Sequence, residues 1–168
     1  MWTIVEDGKI KETFTKPKAV RISNVLHSEQ IFTAWSEEEL NSIGIIKVKD
    51  VGSEKNIQFY TNSSEVVLVN SSTVENRITN TEKNLDSVKN ELLSFVNNEI
   101  SRYLRVTDWI IIRKADTGKD APSDLAKWRT DLREKAEAYE TAINNASDIS
   151  GLEAINLNDW PDNPRSSS

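Results

Sequence analysis

The chain has 168 residues, 37% of them hydrophobic and 29% charged, a globular balance that excludes a wholly disordered polymer and suits one ordinary domain or two small ones. It has no Cys and a single His, His27, which excludes disulfides, thiol catalysis, thiolate metal sites and any multi-histidine centre. The net charge of −6 is spread over the chain, with 9 Lys+Arg against 11 Asp+Glu in residues 1–80 and 12 against 16 in residues 81–168. Neither part offers the basic face on which affinity for phosphates depends, so no nucleic-acid partner is expected.

In chain order, the first strong signal is Asp7-Gly8 between two strand-like runs, 2–6 and 9–14. A type I′ turn needs φ > 0 at both central positions, which this pair tolerates, so a β-hairpin is predicted. Pro17 blocks its continuation, and 19–22 with 25–27 can form a second hairpin across Ser23-Asn24. Ser36 followed by Glu39 is a capping box, and Gly44 stops the short helix it starts. Residues 45–51 read as a strand with apolar positions at 46, 48 and 51. Two further strands are predicted at 57–61 and 65–70, joined by a polar turn at 62–64, and another at 74–79. Residues 1–80 thus read as a small β-rich domain with one helix.

From 82 to 106 no Gly or Pro interrupts the chain. Leu85, Val88, Leu92, Phe95 (or Val96), Ile100, Tyr103 and Leu104 recur at steps of three and four, which predicts a long helix with an apolar seam. That seam offers either a face for a neighbouring helix or a homo-oligomer contact, although Glu99 interrupts it. The stretch 107–133 then reads helix, turn, helix. Thr107 or Asp108 can cap the first helix, Gly118 ends it, and Pro122 stands near the start of the second. Trp109 and Ile112 share one face of the first; Leu125, Trp128 and Leu132 share one face of the second. The two stripes should close as an αα-hairpin, the second helix running through Tyr139 and Ile143 to about 145. Residues 81–157 are therefore predicted as a helical bundle, with Leu152, Ile155 and Leu157 covering one end. Residues 158–168 follow as a polar tail, of which 162–168, with Pro164 and three terminal Ser residues, is expected to be mobile. The fold class expected is α+β.

Chemistry-bearing motifs are scarce. Thr117-Gly118-Lys119 resembles the end of a phosphate-binding loop, but Arg113 and Asp120 stand where that loop needs Gly and a hydroxyl. Glu37, Glu38 and Glu39 sit at a helix start, where carboxylates meet the positive end of the dipole. His27 has no Ser or Asp at a recognisable spacing. The Asn62, Asn70 and Asn145 sequons are discounted, since residues 1–11 lack the apolar core of about 7–15 residues that a secretory signal carries. The longest aliphatic runs, 66–69 and 110–112, fall far short of the ~20 residues of a membrane helix. No catalytic residue, cofactor, metal or membrane partner is expected, and the chain reads as a soluble, non-enzymatic protein.

The side chains that stand out for protein contact are Trp109, Arg113, Trp128, Arg129 and Trp160, because Trp and Arg are enriched where interfaces concentrate their energy. Trp109 and Trp128 are expected to pack on each other in the bundle core. The arginines are expected to make local ion pairs on solvated faces. Trp160, beside Pro161, either folds back on the bundle end or serves as a docking anchor.

The pattern of Thr107-Asp108-Trp109, an apolar pair, Arg113, Asp116-Thr117-Gly118, Pro122, Trp128-Arg129 and Leu132-Arg133 resembles the C-terminal domain of phage tail assembly chaperones and tail-fibre assembly proteins. It departs where family members often carry an aromatic (here Ile110) and a Tyr (here Trp128). The opening, with Trp2–Glu6, the Asp7-Gly8 turn and the run Trp35-Ser36-Glu37-Glu38-Glu39, is similar to the start of small tail-associated phage proteins. The resemblance implies a tail protein with a structural or assembly role in the fibre or host-adhesion apparatus, whose partners are other phage tail proteins. It carries no catalytic residues. It leaves two alternatives: a permanent virion component of the tail, or a transient chaperone confined to the host cytoplasm during assembly and absent from the mature particle.

Overall fold

A computed structural model describes residues 1–165 and divides the chain into two compact units, Met1–Thr81 and the part from Glu82 onward. The architecture is α+β, with a curled five-stranded sheet in the first unit and helices in the second.

The first unit opens with β1 (Trp2–Glu6) and β2 (Lys9–Phe14), an antiparallel hairpin. Asp7 at φ 52° and Gly8 at φ 70° make the predicted turn. The second hairpin, β3 (Val20–Ile22) and β4 (Val25–His27), turns in the same way, with Ser23 at φ 46° and Asn24 at φ 66°. Two short helices follow, α1 (Ile31–Ala34) and α2 (Glu37–Ser42), where one was predicted. The capping box of α2 is complete: Glu39 N–H donates to Ser36 Oγ at 3.2 Å, and Ser36 N–H to Glu39 Oε2 at 2.8 Å. Then come β5 (Ile45–Val51), β6 (Tyr60–Asn70) and β7 (Thr73–Glu82).

The sheet order is β2-β1-β5-β7-β6, with β5 antiparallel to β1 and parallel to β7. β5 lies at its centre, so the consecutive residues Ile45 and Ile46, pointing to opposite faces, are both buried. On one face Ile45 joins Ile4, Val20, Ile22, Ile31 and Leu40. Trp2, Phe14 and Phe32 border this cluster with ring centroids 5.3–6.4 Å apart. On the other face Ile46, Val48 and Val74 cluster with Val5, Ile10, Val66 and Leu68 around them. Gly44 has a specific reason to be Gly: at φ +85° a Cβ would sit 2.4 Å from the Val5 carbonyl oxygen.

The predicted strand at 57–61 and turn at 62–64 are not present. β6 runs from Tyr60 to Asn70 without a break, and Ile57 precedes it, exposed. Asn62 holds the preceding loop instead of turning the chain, its amide donating to the Lys55 carbonyl at 2.8 Å and accepting from the Lys55 N–H at 3.3 Å. Val51, expected on the apolar stripe of β5, is exposed, and the stripe ends at Val48.

In the second unit α3 (Leu85–Arg105) starts three residues later than predicted, at an Asn84 cap that accepts from Ser87 N–H at 3.0 Å. It packs along α5 (Ser123–Asn145), and between them lies α4 (Asp108–Thr117) in sequence. Val88, Leu92 and Val96 are the buried residues of α3; Phe95 is left outside. The seam that offered an oligomer contact in the sequence is thus occupied within the unit. Gly118 ends α4 in the left-handed conformation at φ 70°. Along α5 the buried stripe is Leu125, Trp128, Leu132, Ala136, Tyr139 and Ile143, at steps of three and four. Lys89 Nζ donates to the Asn144 carbonyl at 2.8 Å, placing a cation at the negative end of α5. A last short helix, α6 (Ile149–Glu153), buries Ile149 and Leu152 after an Asp148 cap.

Candidate docking surface on the second unit

The α3–α4 corner is held from inside by Arg129. Its Nη1 donates to the Leu104 carbonyl at 2.8 Å and to Thr107 Oγ1 at 2.7 Å; its Nη2 donates to Asp108 Oδ1 at 3.0 Å. The residue is 6% exposed. One guanidinium thereby satisfies a carbonyl at the C-terminal end of α3, where a cation is favoured, and fixes the first residues of α4. The expectation of a local, solvated ion pair is corrected for this arginine, since its partners lie 21 to 25 residues away. The expected side-chain cap of α4 is also missing. Thr107 is buried, and its hydroxyl donates to the Leu104 carbonyl at 3.2 Å while accepting from Arg129.

This clamp sets the rotation of α4. Ile110 faces inward and clusters with Leu125, Trp128 and Leu132. Trp109 is 45% exposed, Ile111 54% and Ile112 68%, with Val106 exposed just ahead of the helix. The expected Trp109–Trp128 core pair does not form. Trp128, 3% exposed, instead meets Tyr103 edge-on at 6.4 Å and donates from Nε1 to the Pro161 carbonyl at 2.9 Å. The reason is geometric. Four consecutive apolar residues, 109–112, are spread over about 300° of a helix at 3.6 residues per turn, so they cannot all face one core. That signal was available in the sequence.

The five residues singled out from the sequence therefore separate. Trp109 and Arg113, one helical turn apart, lie on the exposed side of α4. Trp128 and Arg129 are interior. Trp160 is half-buried against the bundle, its ring centroid 5.6 Å from Tyr103 and 5.2 Å from Tyr139. The segment around it is tied down as well: Tyr139 Oη donates to the Asp159 carbonyl at 2.8 Å, and Lys135 Nζ lies 2.6 Å from Asp159 Oδ2. The hydrogen bond that the Lys135 amine donates to Asp159 pushes its pKa above the ordinary value. The tail is tied to the bundle through Asp159, Trp160 and Pro161, while Asp162, Pro164 and Arg165 are exposed; the three terminal serines of the 162–168 segment lie outside the described residues. Ile112 shares that side with Trp109, as their spacing predicts, while Ile111 is exposed on the opposite side of the helix and Val106 ahead of it.

The surround of this face is polar and ordered. Lys114 Nζ sits 2.8 Å from Asp120 Oδ1, which raises the pKa of the amine and lowers that of the carboxyl through their mutual hydrogen bond. Elsewhere, His27 meets Trp35 edge-on at 5.7 Å and lines an open cleft of about 610 Å³ with Glu6, Asp7 and Gly44. The Glu6 carboxyl is held below the usual range by its hydrogen bond to Lys11. Among the described residues no group of three or more His, Asp or Glu side chains is placed to hold a metal ion, and no helix is long and apolar enough to cross a membrane. No family model, curated protein or solved structure matches the chain.

Proposed function

We propose that this chain is a non-catalytic tail protein of a tailed bacteriophage, structural or assembling in the fibre or host-adhesion apparatus, and that it works by docking other tail proteins on the exposed face of α4. The observation that carries the reading is the exposure of Trp109 and Ile112 on one side of a helix anchored by Ile110 and the Arg129 clamp. A helix held from inside that presents a large aromatic and a branched aliphatic beside Arg113 has the composition of an interface centre. The same stretch, 107–133, carries the resemblance to tail assembly proteins. The Arg-clamped corner accounts for Thr107, Asp108 and Arg129 of that pattern as framework, which leaves Trp109 and Arg113 for contact.

A transient chaperone would use the same face to shield apolar surface on an unassembled client. Quantitative mass spectrometry of purified particles, compared with infected-cell lysate, separates the two. Stoichiometric copies in the particle are expected for a tail component. Abundance in lysate with absence from particles would transfer the face to the chaperone reading, and association with no tail protein in either fraction would overturn both.

A further inference from the structure

The two edges of the five-stranded sheet are built differently. β2, at one edge, carries Lys9, Lys11 and Glu12 among its six residues. Lys11 pairs with Glu6 and Lys18 with Glu12, and the β1·β2 register shifts at Ile4/Val5. Charges, ion pairs and a bulge are the usual means by which an edge refuses another strand. β6, at the other edge, is eleven residues long, has Glu65 as its one charged residue, and contains no Pro. Its 66–69 run is Val-Val-Leu-Val. Val66 and Leu68 pack on the sheet's own core while Val69 is 46% exposed. Strand-forming side chains thus accompany an open row of backbone donors and acceptors.

We propose that β6 is a dimerisation edge, at which two copies of this chain pair their β6 strands antiparallel across a two-fold axis and join their sheets into one. The sequence of the strand is self-complementary. An antiparallel pairing of a strand with its own copy places the axis normal to the sheet, so one residue lies opposite itself. Centring the 66–69 run makes that residue Val67 or Leu68. With Val67 at the centre, Val66 meets Leu68 of the second copy and Glu65 meets its Val69. With Leu68 at the centre, Val67 meets Val69 of the second copy. In either register the two Glu65 carboxylates are four or six residues apart along the strand, roughly 13–20 Å at ~3.3 Å per residue. That exceeds the ~8 Å screening length at physiological salt, so no like-charge repulsion opposes the pairing. Because β2 is guarded, addition stops at two copies; an isologous contact through one open edge closes on itself and does not grow into a fibre. The inference is independent of what α4 docks.

Sedimentation equilibrium of the full chain at micromolar concentration is expected to return twice the 19.0 kDa chain mass. Val69→Glu, a change at an exposed position that sets a carboxylate against Glu65 or Val67 of the second copy, is expected to return the single-chain mass with an unchanged circular-dichroism spectrum. Single-Cys variants provide a second readout, since the chain has no Cys of its own. Opposed residues in an antiparallel pair have Cα atoms about 4.5–5.5 Å apart, within the ~4.4–6.8 Å that a disulfide spans. Either Val67→Cys or Leu68→Cys should therefore yield an oxidised dimer, and Lys11→Cys on the guarded edge should not. A single-chain mass for the unmodified protein, a dimer that survives Val69→Glu in a folded variant, or cross-linking at Lys11→Cys as efficient as at both β6 positions would each overturn the proposal.

Discussion

Arg129 bonds to Leu104, Thr107 and Asp108 from an interior position, while Asp108 itself remains 55% exposed in its side chain. Truncating the arginine leaves a solvated carboxylate but strips the carbonyl and hydroxyl of their charged donor. Arg129→Ala should lower stability by about 2–4 kcal/mol in urea unfolding, given ~1.5–3 kcal/mol for a hydrogen bond to a charged group. Asp108→Ala should cost under ~1 kcal/mol, as for exposed ion pairs. Equal losses would contradict the clamp. At Glu39, backbone and side-chain hydrogen bonds from Ser36 lower the carboxyl pKa. A depressed carboxyl contributes stability above its unfolded pKa and loses it as pH falls through the folded one. Titration by NMR should find the Glu39 midpoint below the ordinary glutamate value, and Glu39→Gln should remove that part of the acid sensitivity. A midpoint at the ordinary glutamate value would count against the box as a source of pH dependence. The capping box was legible because donor and acceptor lie three residues apart. Arg129 was not, because nothing in the spacing of residues 104–108 and 129 says that the chain brings them together.

At the scale of elements, local turn chemistry transferred well and helix rotation did not. Asp7-Gly8, Ser23-Asn24, Gly44 and Gly118 all take the positive φ that their positions in the sequence required. Gly44→Ala should cost about 1–3 kcal/mol, because a left-handed residue would also have to displace the Val5 carbonyl. Gly118→Ala, with nothing within 4 Å of the added Cβ, should cost about 1 kcal/mol or less. If the two were equal, the close approach of β1 to Gly44 would carry no energy. The polar run 61–65 failed as a turn signal because an edge strand tolerates polar residues on its exposed positions, and Asn62 found a use for its amide in the Lys55 loop. On α4 the sequence pattern identified an apolar helix but not its rotation, which Ile110 and Arg129 decide. Trp128→Ala should therefore cost ~3–5 kcal/mol, as buried aromatic truncations do. Trp109→Ala should stay within ~0.5 kcal/mol, as at exposed sites. The reverse order would return Trp109 to the core and remove the docking face.

For the whole molecule, composition and periodicity made the α+β class readable, since the strand-like alternation and the uninterrupted helical seam occupy separate stretches of chain. The exposed apolar surface was less readable, because exposure is a property of packing. Of the five contact candidates, packing leaves Trp109 and Arg113 exposed and puts Trp128 and Arg129 to structural use. The proposed docking of another tail protein on this face of α4 is tested by the copy number of a Trp109→Ser, Ile112→Ser double variant in purified particles, supplied in cells infected by a phage lacking the gene. The variant is expected to fold with an unchanged melting temperature and to be depleted from particles about tenfold or more, the factor that ~1.4 kcal/mol of lost contact produces. A folded variant incorporated at the level of the unmodified protein would contradict the claim.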